Sequence, residues 1–438
     1  MPFAIIGAIR ARRRYAFSSG WAFATVSAAM LPTVPFVLRG DASWWSQRVI
    51  GVMLVIGFMM IVVERGRSNY WSGVQFGRRE ASTRFIIAAP FAIGTFAMAV
   101  GLYRGNELFV IAGDGLRWFV TATAIVVGIG MTRERAETTI TAMAWVAVFW
   151  DFVAVGFFAL IALSGQFSIL RVTGGFAAAL AFGFVMLLGP RGRRPRPFAF
   201  GQRTGIIILT ASLVAGALSL TRATWAGSAF MLMVGTITVA TVWNRRDIAR
   251  TMASVAFAAI LVFGGYALTP QGQQTVLWMQ QRVQSVSITD HADVSLAIRD
   301  EEAKYARIAQ QQIPLGELIG AGAGATYAYP PFDEPDRHQV HYMIPNIDFR
   351  SGLIGLGIFV PFIALLTWRT FRALKHSDDD IVLLWAALVV VMTLIVSTTE
   401  YKIIGDPIAG IAIGFVLRQR SQQRARGSGE LAGSRRRA

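Results

Sequence analysis

The chain has no cysteine, so a disulfide framework and thiolate metal sites are excluded. It is poor in charge. Only 15% of its 438 residues are Asp, Glu, Lys or Arg, against about 25% in an ordinary soluble domain. It is poorer still in acid, with 25 Asp and Glu against 42 Lys and Arg, and it has four histidines. A soluble core of this length is incompatible with that deficit, because 54% of the residues are hydrophobic. A formal charge of +17 would point to nucleic acid in a soluble protein. In a membrane protein the same excess collects in cytoplasmic loops, so no nucleic-acid partner is expected.

What the chain does have is apolar runs. They recur along its whole length, each about 17 to 20 residues and so long enough to cross roughly 30 Å of hydrocarbon. The expected fold is an all-α polytopic membrane protein of about twelve transmembrane helices. The spans fall near 21–38, 48–63, 85–102, 114–131, 139–162, 174–189, 204–220, 226–243, 251–268, 351–368, 381–398 and 404–417. The organisation that follows is a basic cytoplasmic N-terminus at 1–20, nine spans across 21–268, a large periplasmic loop at 269–350, three spans across 351–417 and a basic cytoplasmic tail at 418–438. Arg10, Arg12, Arg13 and Arg14 are followed by no signal-type cleavage site, so they read as the flank of the first span.

Charge orients the bundle. With the N-terminus inside, the inner segments carry 29 of the 42 Lys and Arg. Six more lie in the long loop, which the positive-inside rule does not count. No short outer loop carries a basic cluster, so both termini are expected in the cytoplasm and 269–350 outside. A structureless stretch of that length is unusual in a folded protein. The loop holds ten of the acidic residues, His291, His338, His341 and a Gly-rich run at 316–324. Within it, 294–312 reads as an amphipathic helix with Leu296, Ile298, Ala303, Ala306 and Ile308 on an imperfect apolar stripe, ended by Pro314.

Three outer features carry candidate chemistry. In SLTRATWAG at 219–227, Arg222 sits in a very short turn between spans; it is either an arginine that snorkels to anchor a helix end or a cation facing lipid headgroups. Arg299 opens the amphipathic helix, where a guanidinium can grip a phosphate bidentately or lie solvated beside Asp300 or Glu302. His341 precedes the tenth span in HYMIPNIDFRSGLIGLGIF; it is a surface histidine or a proton acceptor suited to neutral pH. His338 is its nearby rival. Asp333, Glu334 and Asp336 surround Pro335 as an exposed turn. Asp151 lies mid-span and must pair, protonate or face a polar cavity, while Glu400 and Lys402 form a local pair without assigned chemistry.

In this order and placement, the three features resemble the O-antigen ligase and polysaccharide polymerase superfamily. Members have an S-x-S-R-G-x-W-like turn, which Ser219, Arg222 and Trp225 fit while Thr221 and Ala223 replace Ser and Gly. Their loop helix runs R-x(14)-P-x-x-G-x-G. Arg299 and Pro314 keep that spacing, with the glycines displaced by 317–319. Their loop closes with H-N-x(9)-G-x-x-G, matched by His341, Gly352 and Gly355 with Tyr342 in place of Asn. The resemblance implies a glycosyltransferase of the bacterial inner membrane, acting in cell-envelope biogenesis. Such an enzyme moves a glycan from an undecaprenyl diphosphate carrier to a hydroxyl of a glycan, lipid A-core or protein acceptor. It implies no metal and no other cofactor. His341 would be the base, Arg222 and Arg299 the diphosphate clamp, and Trp225 and His338 further substrate contacts. A transporter or flippase of lipid-linked glycan is the main alternative. A peptidoglycan glycosyltransferase of the shape and division type and a non-enzymatic scaffold are the others.

Overall fold

The computed structural model describes residues 80–131, 176–188, 202–218, 221–240, 245–287, 294–338, 340–377, 380–398 and 403–418, with parts of 139–156. The first two expected spans, both basic termini, His291, Glu400 and Lys402 lie outside the described residues.

Five described helices are long and apolar enough to cross a membrane. They are α1 (Ala81–Tyr103), α2 (Leu108–Gly130), α5 (Arg222–Ala240), most of α6 (Arg245–Ala267) and α10 (Met343–Lys375). At 1.5 Å per residue, α1 and α2 each extend about 35 Å, enough for the hydrocarbon layer. Shorter apolar helices lie among them: α3 (Phe176–Leu188), α4 (Gln202–Leu218), α11 (Ile381–Ser397) and α12 (Pro407–Arg418). This is the architecture of a helical membrane protein.

Packing follows from the residues on each helix. α3 and α11 are apolar on every side and bury almost every residue, which is how a helix at the centre of a bundle must read. They pack on one another, and Trp385 of α11 donates its indole N–H to Ala178 O of α3 at 3.1 Å. α11 starts where Asp380 accepts from Val382 N and Leu383 N, a side-chain cap for otherwise unpaired amides. Asp151 is buried and takes a 2.6 Å hydrogen bond from Ser212 Oγ of α4, so the mid-span carboxylate has a partner across the bundle. α1 pairs with α2 and with α10.

The long stretch before α10 is structured. It holds α7 (Pro270–Ser287), α8 (Val294–Gln311), α9 (Gly316–Ile319) and an antiparallel hairpin of β1 (Tyr327–Tyr329) and β2 (Glu334–Arg337). α8 matches the expected amphipathic helix to within a residue. The hairpin departs from the all-α expectation. Its second strand is EPDR, a composition that disfavours strand. Asp333 makes its turn at φ +52°, so the acidic turn is the tip of a hairpin.

The Gly-rich run is a backbone ribbon wedged between helices. Gly320 lies against the Arg350–Ser351 backbone, and a Cβ there would come within 2.5 Å of it. Opposite, α10 breaks at Gly352, whose φ of +60° and ψ of −161° are open essentially to glycine alone. Ala321 N, Gly322 N and Ala323 N then donate to Phe349 O, Arg350 O and Ala97 O. The ribbon thus ties the start of α10 to the end of α1. Arg104 and Asn106, in the α1–α2 turn, donate to Pro314 O and to Ala321 O and Ala323 O. The loop and the α1–α2 turn therefore share one end of the bundle.

Candidate functional site

At that end two clusters of ionisable side chains meet. The first is built by α8 and the segment entering α10. Arg299, Glu302, Ala306 and Gln310 recur at helical spacing; Glu302 and Ala306 turn toward the hairpin, and Gln310 donates to Gly316 O and Asp348 O. Ala306 packs with Tyr327, Tyr329 and Phe349 in a small apolar core. Glu302 rides on the same face, so its carboxylate is carried under the hairpin, and its side chain is 0% exposed.

A buried carboxylate must be paired. Glu302 Oε1 receives Arg337, and Oε2 receives His341 Nδ1 at 2.6 Å and His341 N at 3.3 Å. Burial opposes ionisation, but the bonds from His341 and the charge of Arg337 prevail and hold the carboxyl below its ordinary value of 4.5. An ionised carboxylate only accepts, so the hydrogen must sit on Nδ1. His341 Nε2 is then the lone-pair nitrogen, with no hydrogen-bond partner among the described residues. The imidazole is 24% exposed. Arg337 itself lies 4.4 Å above the Tyr329 ring and also donates to Glu334 at 2.8 Å. Burial and the Arg337–Glu302 pair thus lock one edge of the hairpin onto α8.

The second cluster joins the loop to α2. Asp114 Oδ2 accepts from Gly324 N at 2.9 Å and pairs with Arg350 at 3.2 Å, while Oδ1 lies 3.2 Å from His338 Nε2. His338 Nδ1 lies 3.2 Å from Ala325 O. Arg350 donates to His338 O at 2.7 Å and to Ala325 O at 2.8 Å. Each ring nitrogen of His338 lies near an acceptor and also 3.2 Å from Arg350 Nη2, so His338, unlike His341, has no ring position left for a substrate proton.

Against the second cluster and Arg337 lies a cavity of about 450 Å³. Its floor is Gly94, Ala97 and Trp118, and its polar walls come from α2, β2 and the start of α10. Arg337 lines it and also shares Glu302 with His341, so one carboxylate connects the cavity wall to the His341 imidazole.

The residues singled out from sequence fall as follows. His341 and Arg299 are in one neighbourhood. The Tyr342 phenol, beside His341, hydrogen-bonds Asp300 and feels the Arg299 charge; burial and Asp300 push it above its ordinary value. Arg222 is the first residue of α5, half-buried. The main packing partners of α5 are α11, α3 and α4, whereas α8 and α10 carry the Glu302–His341 pair. One turn into α5, Gly227 faces Met392 and Val396 near the end of α11. Just beyond that end Ile403 N bonds Ser397, and Gly405 N bonds Thr121 of α2. Gly405 in turn lies against Arg117, a cavity residue. Arg222 is thus at the same end of the bundle as the cavity. Trp225 uses its indole N–H on Gly216 O of α4 at 3.0 Å, a bond that closes the α4–α5 turn.

Glu302, Asp114, Arg337 and Arg350, which the structure brings into the two clusters, were not singled out from the sequence as candidates. The one local signal was spacing. Glu302 follows Arg299 by three residues, and Arg117 follows Asp114 by three, which puts each pair on a single helix face.

No protein-family model matches the chain, and no curated protein matches it either.

Proposed function

We propose that this protein transfers a glycan from a polyprenyl diphosphate carrier to an acceptor hydroxyl, at the loop-bearing face of a bacterial inner membrane. The observation that carries this reading is His341, whose Nδ1 is engaged by a buried carboxylate and whose Nε2 is left over. That is the arrangement a general base requires. The acceptor O–H gives its proton to Nε2 as its oxygen bonds the anomeric carbon. The bond from that carbon to the diphosphate oxygen breaks, and the diphosphate departs with the electron pair. Attack from the opposite side inverts the sugar. Negative charge grows on the leaving diphosphate, where fixed cations in a poorly hydrated site stabilise it most. Arg222 and Arg299 are the proposed clamp, by resemblance and by their shared end of the bundle. A diphosphate is already an activated leaving group, so the proposed reaction draws on no metal or nucleotide.

Purified protein in lipid nanodiscs, given lipid-linked repeat units alone, tests the proposal. Chain growth defines a polymerase; transfer only after a second acceptor is added defines a ligase. His341→Ala should abolish either, and Arg222→Ala or Arg299→Ala should lower it about a hundredfold. Unchanged transfer by His341→Ala would overturn the mechanism. Movement of intact lipid-linked glycan between leaflets, without transfer, would replace it with a flippase.

A further inference from the structure

The cavity lined by Arg337, His338 and Arg350 has an even balance of charge. Its described lining includes three carboxylates, Asp114, Glu334 and Asp336, and three guanidiniums, Arg117, Arg337 and Arg350. Four of the six are already matched: Arg350 with Asp114 at 3.2 Å, and Arg337 with Glu334 at 2.8 Å. A phosphate entering here would meet no net positive potential, and two of the three guanidiniums are already held by carboxylates. A cation would face the converse problem. What the walls offer in quantity is hydrogen-bond donors and acceptors of both kinds, close together.

The two remaining charged groups are the most available. Arg117 is exposed and donates no hydrogen bond among the described residues. Asp336 is exposed and has one long contact, from Thr326 Oγ1 at 3.4 Å. Asn346 spends its amide N–H on Val340 O at 2.8 Å, which leaves its carbonyl oxygen toward further donors. Against these stands an apolar floor of Trp118, Gly94, Ala97 and Ala323. Small-molecule sites typically enclose roughly 300–1,000 Å³, with an apolar body and a few placed polar groups. A pyranose has that same division, with C–H groups on its ring faces and hydroxyls around its rim.

We infer that this cavity is a subsite for one neutral sugar residue of the transferred or accepting glycan, held by Arg117 and Asp336 over Trp118. The inference rests on the glycan-transfer reading above and adds a specificity-determining site to it. Arg337 in the cavity wall and His341 share the Glu302 carboxylate, which links the subsite to the proposed base. The diphosphate is held elsewhere, by the proposed clamp of Arg222 and Arg299, neither of which lines this cavity.

Binding can be read without turnover. Full-length protein in detergent micelles is mixed with neutral oligosaccharides released by mild acid from the host's lipid-linked pool, and saturation transfer to their ring protons is recorded. Inorganic pyrophosphate, followed by phosphorus line width, serves as the anionic probe. The expected result is transfer to the sugar protons in wild type and in His341→Ala. Arg117→Gln and Asp336→Asn, each checked as monodisperse by size exclusion, should weaken sugar affinity about tenfold and leave pyrophosphate broadening unaltered. No saturation transfer in wild type, or equal transfer in both cavity variants, overturns the subsite. So does pyrophosphate broadening that disappears with Arg117→Gln, which would make the cavity an anion site. The two readings separate cleanly. Sugar binding without any transfer from lipid-linked donor keeps the subsite and removes the enzyme; transfer without sugar binding does the reverse.

Discussion

At the scale of single residues, the decisive group is Glu302. Composition gives no reason to separate it from Asp300 and Glu301 beside it. Its burial is set by partners far along the chain: Arg337, 35 positions away, and the tyrosines of β1, onto which α8 folds. His341 could be singled out from sequence as a candidate base because histidine before a span carries its chemistry in its type. Glu302 could not, because a glutamate becomes a candidate positioning residue only through what covers it. Glu302→Gln keeps the shape but removes the charge that fixes the His341 tautomer. It should lower kcat about a hundredfold with KM nearly unchanged, and it should flatten the pH–rate profile. A purely structural role would instead leave the profile in place and lower the amount of folded protein. The acid side of stability follows from the same pair. Because folding depresses the Glu302 carboxyl below 4.5, its pairing contributes in full above that value. The contribution is lost as pH falls through the lower, folded value. Amide exchange along α8 and β2 should therefore accelerate below about pH 4.5, ahead of exchange in α3 and α11. Uniform acceleration across all four elements would show that Glu302 does not hold the loop down.

Among elements, helices were far more legible than the contacts between them. Long apolar runs declare α1, α2, α5 and α10 by length alone, and the stripe on α8 declares its ends. The β1–β2 hairpin did not declare itself, since EPDR takes strand geometry only because Tyr327 and Tyr329 supply the pairing edge and Arg337 ties it to α8. The break in α10 was half visible. Gly352 stood out by its spacing from His341, yet the expected span began at 351, whereas the helix begins at Met343 and kinks at Gly352. That kink lets Arg350 point into the cavity cluster while the remainder of α10 runs through the bundle. Alanine at 352 would meet both a forbidden backbone region and the Leu318 backbone, 2.5 Å from its Cβ. Gly352→Ala should cost of order 1–3 kcal/mol or more, seen as a lower midpoint of thermal unfolding in detergent. Gly357→Ala, on the same helix with nothing within 4 Å, is the control and should leave the midpoint unchanged. Equal melting of the two variants would mean that the ribbon–kink crossing contributes little to the fold.

For the whole molecule, charge placement and contact geometry agree on one point from independent directions. Counting spans and Lys/Arg excess puts the α1–α2 turn and the long loop on one side of the membrane. The structure joins them through Arg104, Asn106 and Asp114, three contacts that no local pattern encodes. The opposite end has its own clip, where Arg369 of α10 pairs with Glu80 at the start of α1. α1 and α10 therefore run antiparallel, and Lys375 lies at the far end from the cavity. The absence of cysteine turns this into a clean test, since each introduced thiol is the only one in the chain. Glu107→Cys in the α1–α2 turn, Pro331→Cys at the hairpin and Lys375→Cys at the end of α10 all replace exposed residues. In intact cells a membrane-impermeant maleimide should label Glu107→Cys and Pro331→Cys, and should reach Lys375→Cys only after the membrane is opened. Labelling of Glu107→Cys and Pro331→Cys from different sides would break the shared end on which the cavity, the base and the proposed clamp all depend. Labelling of all three from outside would show that α10 does not cross. The reverse pattern, with only Lys375→Cys reached in intact cells, would keep the fold but turn the site toward the cytoplasm. A carrier-linked glycan presented on the outer leaflet could not reach it there.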